Sequence, residues 1–161
     1  LRREDALRRL RGAIDTFYGR RFEYVCAQYV TATESCRWCG RWWGKVPVIG
    51  DDGEKLRDEQ GKVVTENADV DLVAEVYRGD MIAVLMGECK FSRRMCGIPE
   101  FRELERRAGM AKMGGENIEY MMFSREGFRS DLLDFAEERP DLRIRLVSMD
   151  DIRAWASGAA R

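Results

Sequence analysis

The amino-acid sequence predicts an α/β domain: a mixed sheet with helices on both faces. Three observations carry this. The last part of the chain alternates strand and helix, the order that favours a sheet covered on both sides. Residues 82–90, IAVLMGECK, are apolar on both alternating faces, as in a central strand buried from either side. Residues 20–33 and 100–113 carry apolar stripes at spacings of three and four, the mark of helices packed on a core. With 161 residues, the chain is long enough for one domain with a real core.

Each element follows from local pattern. Residues 1–17 predict a helix with Ala6, Leu7, Leu10, Ala13, Ile14 and Phe17 on its apolar side, and Gly19 is expected to break it. A second helix is expected over 20–33, where Phe22, Val25, Cys26, Tyr29 and Val30 face the core and Glu23 lies at the stripe's edge. A loop over 34–40 leads to a strand over 41–49, placed near a sheet edge by Pro47. The polar stretch 50–67 reads as a mobile loop or an extended hairpin. Strands are expected over 69–76 and 82–90, joined by the turn YRGDM. Pro99 opens the helix over 100–113, and Gly114–Gly115 end it. A strand over 118–124, a helix over 128–138, a strand over 142–149 and a helix over 150–156 complete the chain. The expected division is an N-terminal helix or linker over 1–18 and a domain over 19–161.

Composition narrows the function. Hydrophobic residues make up 45% and charged residues 35%, an ordinary soluble balance somewhat rich in charge. No apolar run approaches the roughly 18 residues of a membrane span. The opening LRREDALRRLRGAI is charged and helix-like rather than a secretory leader, and five Cys without such a leader fit a reducing cytoplasm. Since the chain opens on Leu rather than Met, it is expected to be a piece of a larger protein. A net charge of −1 argues against strong duplex binding by this piece alone, although Arg20–Arg21, Arg93–Arg94 and Arg106–Arg107 leave room for a local basic surface. The chain has no His, which removes Ser-His-Asp, Cys-His and most zinc-hydrolase schemes. Catalysis must then run on carboxylates, Lys, Tyr, Cys or a hard metal ion. Cys36 and Cys39 form a CxxC pair open to three readings: plain thiols, a redox pair, or half of a zinc site that needs about four ligands.

One constellation is suited to metal-ion chemistry. Strand side chains alternate, so Glu88 and Lys90 point the same way, about 7 Å apart along the strand. A hairpin through Gly79 would set Asp71 beside Glu88. Two carboxylates on adjacent strands can chelate Mg²⁺ (or Mn²⁺), and such an ion neutralises charge on a phosphodiester. Lys90 would orient the attacking water or stabilise the developing negative charge. Glu23, on a helix packed against the sheet, would add a third carboxylate. Arg20, Arg21, Ser92, Arg93 and Arg94 flank this site as candidate phosphate contacts. The plain alternatives stand beside these: Glu88–Lys90 as a strand-end ion pair, Asp69 and Asp71 as a solvated strand start, Glu23 as an ordinary helix residue, and the arginines as solvated surface. Trp38, Trp42 and Trp43 suit packing or an interface better than base stacking.

Asp71 followed by Glu88-Cys89-Lys90, with sixteen intervening residues, resembles the PD-(D/E)XK nuclease signature. The element order over 20–124 is similar to the αβββαβ core of that restriction-endonuclease-like superfamily. On that resemblance Glu23 matches the helix-borne acidic residue, Asp71 the motif aspartate, and Glu88 and Lys90 the ExK pair; Val70 stands where the motif proline would be. A further resemblance covers nearly the whole chain. FYGRRFEYVC, RWWGKVPVIG, ADVDLVAEV, GECKFS, YMMFSREGF and RLVSMDDI look like the C-terminal domain of unknown function in archaeal and some bacterial P-loop ATPases. The resemblance implies a Mg²⁺-dependent nuclease domain acting on DNA, with an upstream ATPase region of the same protein as partner; a homodimer is a further expectation, because cutting two strands often needs two sites. The resemblance equally implies an alternative: a catalytically silent nuclease-fold module that docks nucleic acid or a partner for the ATPase.

Overall fold

The computed structural model describes residues 3–111 and 117–158. A five-stranded mixed sheet organises the chain. Helix α1 (Arg3–Thr33) leads to strands β1 (Cys36–Pro47), β2 (Thr65–Arg78) and β3 (Met81–Lys90). Helix α2 (Ile98–Ala111), strand β4 (Ile118–Ser124), helix α3 (Ser130–Glu138), strand β5 (Ile144–Ser148) and helix α4 (Met149–Ala156) follow. The strands lie side by side in chain order. The first three pair antiparallel, while β3–β4 and β4–β5 are parallel. Parallel neighbours need crossovers, and α2 and α3 supply them.

The two faces of the sheet bury separate cores. On one, Phe22, Cys26 and Val30 of α1 pack on Leu72, Ala74, Val76, Leu85, Met121 and Phe123, with Ile152 of α4 beside them. On the other, Phe101, Leu104 and Ala108 of α2 and Leu132 of α3 cover Val73, Met86, Tyr120 and Met122. Strand β3 is therefore central and buried on both faces, as its apolar run predicts, and β1 is the edge strand that Pro47 predicts. The β2–β3 hairpin turns at Gly79–Asp80, where Gly79 has φ 64° at the position a type II′ turn gives to glycine.

The structure departs from the sequence expectations at several places. A single helix runs through Gly19, and the boundary expected at residue 18 falls inside it. Mid-helix glycine costs about 1 kcal/mol relative to alanine, and burial of Phe22, Cys26 and Val30 one turn later outweighs that. The expected loop over 34–40 is largely strand, because β1 begins at Cys36. Within 50–67, the isolated bridges Ile49–Lys55 and Arg57–Val63 form a hairpin arm, and Thr65 already belongs to β2. Helix α2 begins at Ile98, and the expected stop at Gly114–Gly115 lies outside the described residues. Among the described residues, no helix is long and apolar enough to cross a membrane.

Candidate functional site

The site begins with an irregularity in β2. Gly40 pairs with Val73 and Trp42 with Val70, so Asp71 and Leu72 together face the single residue Arg41. This is a β-bulge, which sharpens local twist and re-aims side chains. It explains why Val70 and Val73, three apart, share one core. The β2–β3 ladder ends next to it, at Leu72–Gly87, while β3 runs on beside β4 as far as Lys90. Gly87 permits the close approach there: a Cβ would lie 3.1 Å from Leu72 Cβ. Beyond that pair the Cys89 N–H has no backbone acceptor on β2, and it donates instead to Asp71 Oδ2 at 3.0 Å. The predicted neighbourhood of Asp71 and the Glu88–Lys90 strand end is present, built by a bulge rather than by simple alternation.

Glu88 is 4% exposed. Its Oε1 accepts from Lys90 Nζ. Its Oε2 is buried without a hydrogen-bond partner; Arg107 Nη1 is 3.6 Å away, outside bonding range. Burial first, and the Asp71 charge second, push the Glu88 carboxyl above its usual range, against the opposing pull of Lys90 and Arg107. For Lys90, burial disfavours the ammonium, but the carboxylates of Glu88 and Asp71 outweigh it and raise the pKa.

Glu23 reaches the same region from α1. Arg41 Nη1 lies 3.4 Å from Glu23 Oε2, while Arg41 Nη2 bonds Asp69 and stands 3.9 Å from Asp71 Oδ1. Burial and the Asp71 charge raise Glu23, and Arg41 opposes them. Arg107 Nε binds Glu103 at 2.9 Å while its Nη1 is 3.9 Å from Asp69. Four carboxylates (Glu23, Asp69, Asp71, Glu88) are thus interleaved with three cations (Arg41, Lys90, Arg107).

The three carboxylates expected to share a metal surround one strand end without converging. Among the described residues, no three Asp, Glu, Cys or His side chains form a metal-binding group. Arg41 stands between Glu23 and Asp71. Two oxygens are of the kind a hard divalent ion takes: Glu88 Oε2, which has no hydrogen bond and only Arg107 at 3.6 Å, and Asp71 Oδ1, with its 3.9 Å approach to Arg41.

The remaining predicted residues are dispersed. Arg20 and Arg21 are exposed on α1; the charge of Arg20 reaches Glu23, and Arg21 lies over the Phe17 ring at 5.3 Å. Ser92 shapes a turn, its Oγ donating to the Arg94 carbonyl at 3.0 Å. Arg93 lines a cavity on the α1 side of the sheet, and Arg94 is exposed. All five cysteines are free. Burial pushes Cys39 up to about 11, and the neighbouring Cys26 thiol together with burial raises Cys89 well above its usual value, so these two are thiols at neutral pH. Sequence reasoning missed Arg41 and singled out Arg107 only as half of a basic pair. The spacing of Glu103 and Arg107 marks a helical ion pair; nothing local marks Arg41, because its place depends on the bulge.

Fold and site together define a mixed α/β domain with a cluster of acids and cations at the C-terminal end of its central strand. The chain belongs to DUF234, a family of archaeal and bacterial proteins of unknown function, which matches residues 1–107. A solved crystal structure of a protein of unknown function, AF1548, is similar at 16% identity with a TM-score of 0.47. The likeness covers 88% of this chain and 66% of that one, just under two thirds of its length. No curated protein matches the sequence.

Proposed function

We propose that this domain is a restriction-endonuclease-like, Mg²⁺-dependent nuclease that hydrolyses DNA phosphodiesters at the Asp71–Glu88–Lys90 strand end. The observation that carries this reading is Glu88: a carboxylate 4% exposed, with one oxygen unpartnered. Leaving a buried carboxylate oxygen without a hydrogen bond is costly, Arg107 at 3.6 Å offsets that only in part, and a bound cation would remove the rest. Asp71 and Glu88 would hold Mg²⁺ (or Mn²⁺), with Glu23 admitted if Arg41 moves. When bound, the ion supplies neutralisation of phosphate charge and Lewis-acid polarisation. Lys90, held by Glu88, orients the attacking water and stabilises negative charge on the phosphoryl oxygens. Asp71 is itself positioned by the Cys89 N–H. An ATPase region of the same protein belongs to this proposal through the family resemblance, a cytoplasmic location through the cysteine content, and a homodimer through the two sites that cutting two strands often needs.

A second reading has its own support. Arg41 and Arg107 already neutralise much of the acidic cluster, as in a site that has given up its metal. On edge strand β1, Trp38 and Trp43 are 47% and 74% exposed, which suits a docking surface. In that case the domain is a silent nuclease-fold module.

Calorimetric titration with Mn²⁺ separates the two. Wild type should bind, Asp71→Ala should not, and Lys90→Ala should still bind. Mg²⁺-dependent cleavage of a labelled DNA with duplex and single-stranded portions should be lost in both variants. A folded wild type that neither binds Mn²⁺ nor cuts would leave the module reading; equal cutting by all three proteins would expose a contaminant.

A further inference from the structure

The three parallel strands β3, β4 and β5 end in register at Lys90, Ser124 and Ser148. The residues that follow, Phe91, Arg125 and Met149, line a cavity of about 730 Å³ between α1 and the start of α4. Ligands of open α/β sheets bind outside the carboxyl ends of the strands, and this volume suits a small organic ligand. The Arg125 N–H donates to the Lys90 carbonyl at 3.0 Å, which ties the cavity's rim to the strand end of the proposed metal site, although Glu88 and Lys90 alternate with Cys89 and Phe91 and face the other side of the sheet.

Its lining has three chemistries. An aromatic shelf comes first: Tyr18 stacks on Phe91 with ring centroids 6.1 Å apart and planes 26° apart, and Phe22 braces Phe91 from within. Tyr18 is 52% exposed, so one side of the shelf is available. The Arg125 guanidinium lies 4.8 Å from the Phe91 centroid. Cations are second. Arg125 pairs with Glu126 at 3.2 Å and Arg153 with Asp150 at 3.1 Å, whereas exposed Arg93 has no such pair among the described residues. The third set is the acceptors: Asp15, Glu126 and Asp150. Helix α4 contributes little as a dipole site, because its N-terminus is closed by the Ser148–Asp151 capping box.

A simple polyanion does not suit a cavity carrying as many carboxylates as guanidinium groups. A nucleotide does. Its phosphate would meet Arg93 and Arg125, its base would stack on Tyr18, and its exocyclic N–H groups would find carboxylate acceptors. A base paired inside a duplex is stacked on both faces and has its Watson–Crick edge occupied, so it cannot lie on the Tyr18 shelf.

We propose that the cavity between α1 and the ends of β3–β5 holds an unpaired nucleotide of a nucleic-acid strand. Resting on the nuclease reading, it makes the substrate of the neighbouring site a single-stranded or branched nucleic acid, not an uninterrupted duplex.

Fluorescence anisotropy on the full 161-residue chain tests this, run in EDTA so that binding is read without metal or cleavage. The probes are a short single strand, a blunt duplex, and the same duplex with an unpaired tail. The single strand and the tailed duplex should bind better than the blunt one. Tyr18→Ala should weaken their binding on the order of 10-fold, as loss of one stacking platform does, and Tyr18→Phe should restore it. Arg93→Ala should weaken binding and flatten its salt dependence. Both side chains are exposed, so the variants keep the fold. Blunt duplex bound as well as the tailed one, or strand binding indifferent to Tyr18→Ala and Arg93→Ala, overturns the assignment. So does displacement of the strand by free dAMP at equal concentration, which would mark a mononucleotide site. Strand binding that depends on Tyr18 in a chain that binds no Mn²⁺ supports the pocket while sinking the hydrolytic reading.

Discussion

The two ends of the sheet each bury glutamates among arginines, and they treat them differently. At the N-terminal ends of β4 and β5, Glu34 and Glu119 are 9% and 6% exposed. Arg78 grips Glu119 with Nε and Nη2, at 2.9 and 2.7 Å, and its Nη2 also reaches Glu34 at 2.8 Å. Arg145 bonds the other Glu34 oxygen, and Arg143 adds a contact to Glu119 at 3.4 Å. Every carboxylate oxygen there has a guanidinium, and the hydrogen bond from Arg78 holds the Glu119 carboxyl below its usual range. At the opposite end Glu88 keeps one oxygen unpartnered, and burial pushes both Glu88 and Glu23 upward. Saturated acids tie α1 to the sheet. Unsaturated ones leave a demand for positive charge, the arrangement found where ligands bind.

The largest expected effect falls on the saturated end. Arg78→Ala leaves two buried carboxylates short of their main partner and should cost about 3–5 kcal/mol of unfolding free energy, read by urea denaturation. A loss under 1 kcal/mol would break the comparison, because both ends would then be equally loosely held.

Acid titration of stability comes next and has opposite signs at the two ends. Glu119 is depressed in the folded state, so its contribution is present above the unfolded carboxyl range and is lost as pH falls through the folded value. Glu88 is raised, so its contribution is complete below the unfolded value and is lost as pH rises through the folded one. The stability gap between wild type and Glu119→Gln should therefore shrink on acidification below about pH 4. The gap between wild type and Glu88→Gln should move against Glu88 as pH rises from about 4 to 7. Parallel profiles for the two variants would remove the distinction.

The smallest effect sharpens it. Arg41→Ala should cost at most about 1 kcal/mol, since its ion pairs are exposed. By removing the cation that stands between Glu23 and Asp71, it should tighten Mn²⁺ binding in calorimetry. Weaker Mn²⁺ binding would instead make Arg41 a support of the site.

Much of this was legible in local pattern. The alternating apolar run of β3, the Pro47 edge and the stripes on α1 and α2 each report burial directly, because side-chain period follows backbone period. Gly19 misled because glycine's helix penalty is small beside the packing that follows it. Strand β1 was cut short because Cys36-Arg-Trp-Cys-Gly has no clean alternation; a register shift between Cys36 and Trp38 disturbs it. Asp71, Glu88 and Lys90 could be proposed from spacing along two strands. Arg41 could not, nor could the Glu34–Glu119 cluster, whose members come from the residue after α1, from β2, from β4 and from the start of β5 and are remote in sequence.

By itself, then, the sequence determined most of the strands and helices, which of their faces are apolar, and that no histidine chemistry is available. These are properties of residue type and short-range period. Tertiary structure decided which acids are satisfied and which are not. A single bulge at Asp71–Leu72 opposite Arg41 ends the β2 ladder, turns Asp71 onto the Cys89 N–H and leaves the strand end short of partners. Charge satisfaction depends on distances across strands, and only the packed sheet sets those.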